Sequence, residues 1–345
     1  MMKEIDWLLS GESWIQYRTR LDLLEEKMLD IDKKRYKEKI LKDELISDLV
    51  SDVKAWSTTI MKNHKDAKHP IHKLSFLADI GLDIHCEGIE EILNEIYKNK
   101  NDEGIYQMLS NIPTHFGGSG KDEYAWILCD APLVLYSVVK LDATKTDEVI
   151  DATKYLCSIQ DDNGWHCKAS GKLGKFRGPG KKADPCPYAN LLMLKLIAEL
   201  NKKLNTELNT ELNTELNTKH NTKHNTKLFE QEALRGINAI LELWEHRRDY
   251  KEYLFGMGTD FAKIKAPLIW FDIVHVLDVL SNFEVVHEDR RFLEMVEILK
   301  EKLKDNKMKP ESIYLHWKEW EFSKKKEDSR WLTFISYRIL KRIEQ

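Results

Sequence analysis

The chain has 345 residues, with 54 Lys and Arg against 58 Asp and Glu, a formal net charge of −4 and both signs interspersed. That balance excludes a general phosphate-backbone binder, and no nucleic-acid partner is expected; runs such as Lys324, Lys325 and Lys326 read as solvated face. Five cysteines spread over so long a chain, Cys86, Cys129, Cys157, Cys167 and Cys186, are not a small disulfide framework and fit a reducing, cytoplasmic setting.

From the N-terminus, Met1 to Trp7 is acidic within its first residues and lacks a signal-peptide apolar run. No stretch reaches the roughly 18 apolar residues that a membrane span needs, so none is expected. A chain of this size buries about 75% of its unfolded surface, so a metal would need a functional reason rather than a structural one. Residues 1–65 read as N-terminal helices. Helical spacing then predicts helices over Ile89 to Ile96, Glu123 to Lys140, Asn190 to Leu200, Glu232 to Trp244, Pro267 to Leu280, Phe292 to Leu303 and Trp331 to Ile343. Similar helix ends recur, as in Leu77 to Asp83 and Val139 to Thr144, so the fold class is all-α, built as a solenoid or a closed ring of helix pairs. Residues 204–227 are a low-complexity insertion of period four, mobile or weakly helical, and the same period explains the spacing of His220 and His224. Trp317, Trp320 and Trp331 read as contacts that close the ring.

Two long Gly-bearing loops interrupt the helices. In Asn111 to Gly120, His115 is a candidate for acid–base work with Asp130, against a plain loop and helix cap. In Gly164 to Pro187, Lys175, Arg177, Lys181 and Lys182 stand beside a helix start and form either a cradle for a diphosphate or carboxylate or a solvated basic loop. Asp184 and Cys186 offer an oxygen and a thiolate to one Zn²⁺. Alternatively Asp184 is an N-cap, Pro185 the first helical residue and Cys186 an ordinary buried thiol. Cys129 and Cys167 are open as replacement or additional ligands. The aromatics Trp126, Trp165, Tyr188, Trp244, Trp270 and Phe271 line a pocket or fill core.

Gln160-x-x-x-Gly164-Trp165 resembles the glutamine, glycine and aromatic motif of the α/α-toroid superfamily, which contains protein prenyltransferase β-subunits and squalene and other terpenoid cyclases, although it is one residue shorter than the usual cyclase form. The resemblance implies one α/α-toroid domain over residues 1–345, a ring of helical hairpins around a central pocket with residues 1–65 packed on it. Arg177 to Tyr188 is similar to the β-subunit stretch of Arg, Lys, Asp-x-Cys and Tyr. Lys181 keeps the family spacing to Asp184, whereas Arg177 lies one residue farther away and Pro187 is inserted before Tyr188. Asp272-Ile273-Val274-His275 resembles the same family's Asp-x-x-His segment. These matches imply Zn²⁺ on Asp184, Cys186 and His275 with an open fourth position. Asp272 would be a catalytic carboxylate beside the imidazole, with Arg177 and Lys181 on an isoprenoid diphosphate.

No Asp-x-Asp-Asp or Asp-Asp-x-x-Asp run accompanies them. The expected function is a zinc enzyme that activates a thiol or water and binds an anionic, isoprenoid-like small molecule. A metal-free cyclase-like enzyme and a non-catalytic lipid- or protein-binding toroid are the alternatives, and strict prenyltransferase activity would require a separate α-subunit.

Overall fold

A computed structural model describes residues 2–176, 183–215, 227–249 and 260–344. Among them the helices are α1 (Met2–Leu9), α2 (Ser13–Arg18), α3 (Asp30–Leu41), α4 (Glu44–Val53), α5 (Pro70–Asp79), α6 (Ile89–Tyr97), α7 (Ala131–Leu141), α8 (Thr146–Ser158), α9 (Pro187–Glu215), α10 (Glu230–Glu245), α11 (Ile273–Leu280), α12 (Arg290–Lys302) and α13 (Arg330–Glu344). A two-stranded antiparallel sheet pairs β1 (Met108–Ser110) with β2 (Glu123–Ala125). The chain is therefore predominantly helical. No described helix is long and apolar enough to cross a membrane.

Two predicted helices are shorter than their apolar patterns suggest. Glu123 to Lys140 splits, because Glu123–Ala125 pairs with β1 and the helix restarts only at Ala131, behind Asp130 and with Pro132 in its first turn. Pro267 to Leu280 is helical only from Ile273, where the Asp272 side chain accepts a hydrogen bond from the His275 amide and caps the helix. The low-complexity tract continues α9 as helix as far as Glu215. His220 and His224 lie outside the described residues.

The inner helices follow one another by contact: α5 packs on α7, α7 on α9, α9 on α11 and α11 on α13. A second set backs them, with α4 on α5, α8 on α7, α10 on α9 and α12 on α11. Packing on several sides explains why α7 and α11 are buried almost throughout, whereas α8, α10 and α12 carry a single apolar stripe. An aromatic cluster joins the N-terminal helices and α5 to the C-terminal segment: Trp14 meets Trp331 at 4.8 Å between ring centres, and Phe76 meets Trp317 at 5.3 Å and Trp320 at 5.0 Å.

The five inner helices run in one direction. Deep along them, Asp79 of α5 pairs with Lys140 of α7 (3.1 Å) and Lys195 of α9 (3.3 Å), while Asp278 of α11 pairs with Arg338 (2.8 Å) and Arg342 (3.0 Å) of α13. Each buried charge thus faces an opposite one, as burial demands. This network fills one end of the helix group, and the first turns of α5, α7, α9 and α11 converge at the other.

Candidate metal centre

Backbone pairing between distant loops assembles the site at that second end. The Leu128 amide donates to the Lys168 carbonyl (2.9 Å) and Ile127 bridges Ala169, which lays Cys129 beside Cys167. The Cys186 amide donates to the Trp165 carbonyl at 2.8 Å, which brings the start of α9 to the same place. Asn190 locks this join with three buried bonds: its Oδ1 accepts from the Trp165 amide, and its Nδ2 donates to the carbonyls of Trp165 and Cys186. Gly164 has φ +115° and lies so close to Asn190 that a Cβ would sit 2.7 Å from Asn190 Oδ1. Gln160 accepts from Arg235 Nε (2.6 Å) and donates to the Glu232 carbonyl (2.9 Å), so the Gln160-Gly164-Trp165 motif ties helix ends together.

The result is three sulfur atoms, of Cys129, Cys167 and Cys186, all within 4.8 Å of one another, with Cys129 and Cys186 at 3.4 Å. Three thiolates around one tetrahedral Zn²⁺ at about 2.3 Å each would stand about 3.8 Å apart, so the donor set fits with small adjustments. Cys129 and Cys186 are buried and Cys167 partly so. Hydrogen bonds from the Cys129 and Cys167 thiols pull Cys186 well below the ordinary thiol range against the cost of burial, helped by the Ala189 amide and the His64 charge. The Cys186 sulfur accepts from that amide at 3.4 Å and so caps the helix. Cys129 moves the opposite way, raised first by its hydrogen bonds to Cys167 and Cys186 and then by burial.

Beside the sulfurs stands a pair that the sequence did not single out as such. His64 Nδ1 lies 2.8 Å from Asp130 Oδ1, and Asp130 is 1% exposed at the start of α7. Burial opposes charge on His64, but Asp130, by Coulomb attraction and hydrogen bonding, outweighs it and raises the imidazole above its ordinary value. His64 sits in a loop shaped by Asn63, whose side chain accepts from the Lys65 amide, and its carbonyl accepts from His72 Nε2.

Comparison with family models, with curated proteins and with solved structures finds no match to this chain.

The predicted ligand trio separates. Among the described residues the three cysteines are the one group of three potential ligands that come this close, and neither Asp184 nor His275 belongs to it. The helix α9 begins at Pro187, so Cys186 and not Asp184 occupies the residue before it, and Asp184 lines a separate cleft with Asp162, Asn163 and Arg235. His275 is fully buried, its Nδ1 donating to the Trp270 carbonyl (3.0 Å), and burial holds its pKa down at about 3. His115 is exposed against Phe116, and Asp130 has His64 for its partner instead. Of the aromatics, Tyr188 and Trp270 stand at the site, 4.6 Å between rings, with Tyr188 6.4 Å from His64. Trp126 packs on Tyr155, Trp165 donates to the Leu156 carbonyl, Trp244 donates to Glu294, and Phe271 packs on Phe261, all as core. Lys175 is exposed, its amide bonded to the Gly117 carbonyl where the two Gly-bearing loops meet. Arg177, Lys181 and Lys182 lie outside the described residues.

One sequence signal for the cysteine trio was present. Cys129-Asp130-Ala131-Pro132 and Asp184-Pro185-Cys186-Pro187 both place a cysteine within two residues of a proline-marked helix start. Parallel helices then put those two starts side by side.

Proposed function

We propose that this chain is a zinc-dependent enzyme on an α/α-toroid scaffold, with Cys129, Cys167 and Cys186 as the metal ligands and the active centre at the first turns of the inner helices. The observation that carries the reading is the approach of three cysteine sulfurs to within 4.8 Å in a largely buried site. The toroid is supported by the succession of α5, α7, α9, α11 and α13 and by the Trp14, Phe76 and Trp331 cluster that joins its two ends. With that scaffold, the resemblance to the prenyltransferase and terpenoid-cyclase superfamily stands as part of the proposal.

Zinc held by Cys129, Cys167 and Cys186 as thiolates would carry a net charge near −1 and would supply activation of a substrate thiol rather than acidification of water. The chain's own groups do the remainder. His64, charged and oriented by Asp130, exchanges a proton with a reacting group at the sulfurs. Tyr188 and Trp270 supply an apolar wall for the bound molecule, and an anionic group gives it a second point of attachment.

Metal analysis of protein purified without chelator tests this reading. Stoichiometric zinc that is lost in Cys186→Ala and retained in Asp184→Ala supports it. Metal-free protein with three alkylatable thiols at this site overturns it.

A further inference from the structure

Next to the cysteine site, a second set of polar groups has no role in holding zinc. Lys65 follows His64 in the chain, and its Nζ lies 4.4 Å from the centre of the Trp270 ring, the ring that packs on Tyr188. Lys265 lies across from it, with Nζ 3.8 Å from Asp272 Oδ2 and 5.3 Å from the centre of the Tyr314 ring. The two ammonium groups repel each other: Lys65 is made less basic first by burial and then by Lys265, and among the described residues no carboxylate pairs with it.

The carboxyl that pairs with Lys265 among the described residues answers it poorly. Asp272 is 0% exposed and its Oδ2 has no hydrogen-bond partner, while the Tyr314 hydroxyl close by, approached by the Trp270 backbone amide, donates to no acceptor among the described residues. Burial pushes the Asp272 carboxyl up to about 7 although Lys265 opposes the shift, so near neutral pH it carries only part of a charge. Two cations, an unused hydroxyl donor and a carboxyl that is partly a donor form a positively charged cluster with unspent hydrogen bonds. Proteins rarely leave such groups unmatched.

We infer that Lys65 and Lys265, with Tyr314 and the Trp270 ring, form a binding site for a phosphate group, the anionic end of a substrate whose reacting end lies toward Cys186. A dianion matches two ammonium groups of which one has no ion pair among the described residues and the other only the 3.8 Å contact with Asp272, and the phosphate oxygens accept from both lysines and from the tyrosine hydroxyl. Trp270 links the cluster to the metal centre, since it touches Lys65 on one contact and Tyr188, two residues after Cys186, on another. The inference gives residues to the anionic group of the functional reading, but the site exists without the metal.

The test is titration of inorganic phosphate into the full chain, followed by calorimetry and by phosphorus NMR, with and without prior chelation. The expected result is saturable binding that survives chelation, weakens about tenfold in Lys65→Ala and in Lys265→Met, and is unchanged in Lys175→Ala. Lys65 is exposed, so its substitution leaves the fold intact, which circular dichroism verifies. Absence of saturable binding, or binding unaltered by both lysine substitutions, overturns the inference. So does binding that disappears on chelation, which would place the phosphate on the metal. Protein that holds no zinc when purified without chelator, yet binds phosphate through the two lysines, would refute the metal reading and leave this site standing.

Discussion

The sulfurs of Cys129 and Cys186 lie 3.4 Å apart although 57 positions separate them in the chain. Each cysteine stands just before an inner helix, Cys129 one residue ahead of Asp130 and Cys186 directly ahead of Pro187. Because α7 and α9 are neighbours and parallel, their starts meet.

Removal of single sulfurs should therefore discriminate sharply. Cys129→Ser, Cys167→Ser and Cys186→Ser are each expected to lose bound zinc, whereas Cys86→Ser and Cys157→Ser keep it. Cys86 lies elsewhere, bonded to Asp83, with burial pushing its thiol up to about 11. Elemental analysis of the five variants decides the matter, and equal zinc in all five would refute the assignment.

Asn190 should couple fold and site. Its three buried hydrogen bonds hold the Cys167 loop to the start of α9, so Asn190→Ala leaves the Trp165 amide without its acceptor, while the Trp165 and Cys186 carbonyls keep the backbone amides of Cys186 and Asn190. A loss of about 1–3 kcal/mol is expected. The urea midpoint measures that loss, and zinc affinity measured on the same variant should fall with it. A variant as stable as the parent would show that water replaces the amide.

Acid should destabilise the chain through His72 and His275. Burial depresses both imidazoles, each to about 3, against an ordinary value near 6.5, so each stays neutral in the folded chain while the unfolded chain takes up the proton. Their contribution is whole above pH 6.5 and is lost as the pH falls toward 3. The slope is about 1.4 kcal/mol per pH unit for each histidine. Urea unfolding between pH 7 and 5 is expected to show a shallower decline in His275→Gln than in the parent. Parallel declines would mean that His275 is protonated in the folded chain.

The ionic end of the helix group should bear on stability without touching metal. Asp278 answers both Arg338 and Arg342 in a buried setting, and Asp278→Ala leaves two guanidinium groups without it. A cost of about 3–5 kcal/mol is expected, with zinc content unchanged in the protein that remains folded. Zinc loss in that folded fraction would show that the two ends of the helices are not independent.

Asp272 predicts a pH dependence of opposite sign. Its raised carboxyl, about 7 when folded against 3.8 ordinarily, penalises folding increasingly as pH climbs between those values. Asp272→Asn keeps an N-cap side chain and removes the penalty, so it should gain on the order of 4 kcal/mol at pH 8 relative to its effect at pH 4. Denaturant midpoints at the two pH values check this, and an equal effect at both would mean that Lys265 keeps the carboxylate ionised.

The amino-acid sequence by itself determined the helical class and most helix positions. Apolar spacing, prolines in first turns, and the Gln160, Gly164 and Trp165 cluster are local features whose consequences are local. It also contained part of the chemistry of Cys186, since free amides at a helix start favour a thiolate, although the larger pull comes from Cys129 and Cys167. Only the tertiary structure decided which residues join it. Cys129, Cys167, His64 and Lys265 reach the site through four separate segments, and no periodicity links segments whose meeting depends on how parallel helices pack. Asp184 and His275 illustrate the reverse: their spacing suits a metal, but the helix start at Pro187 sends Asp184 to another cleft, and the Trp270 carbonyl holds His275 inside the core.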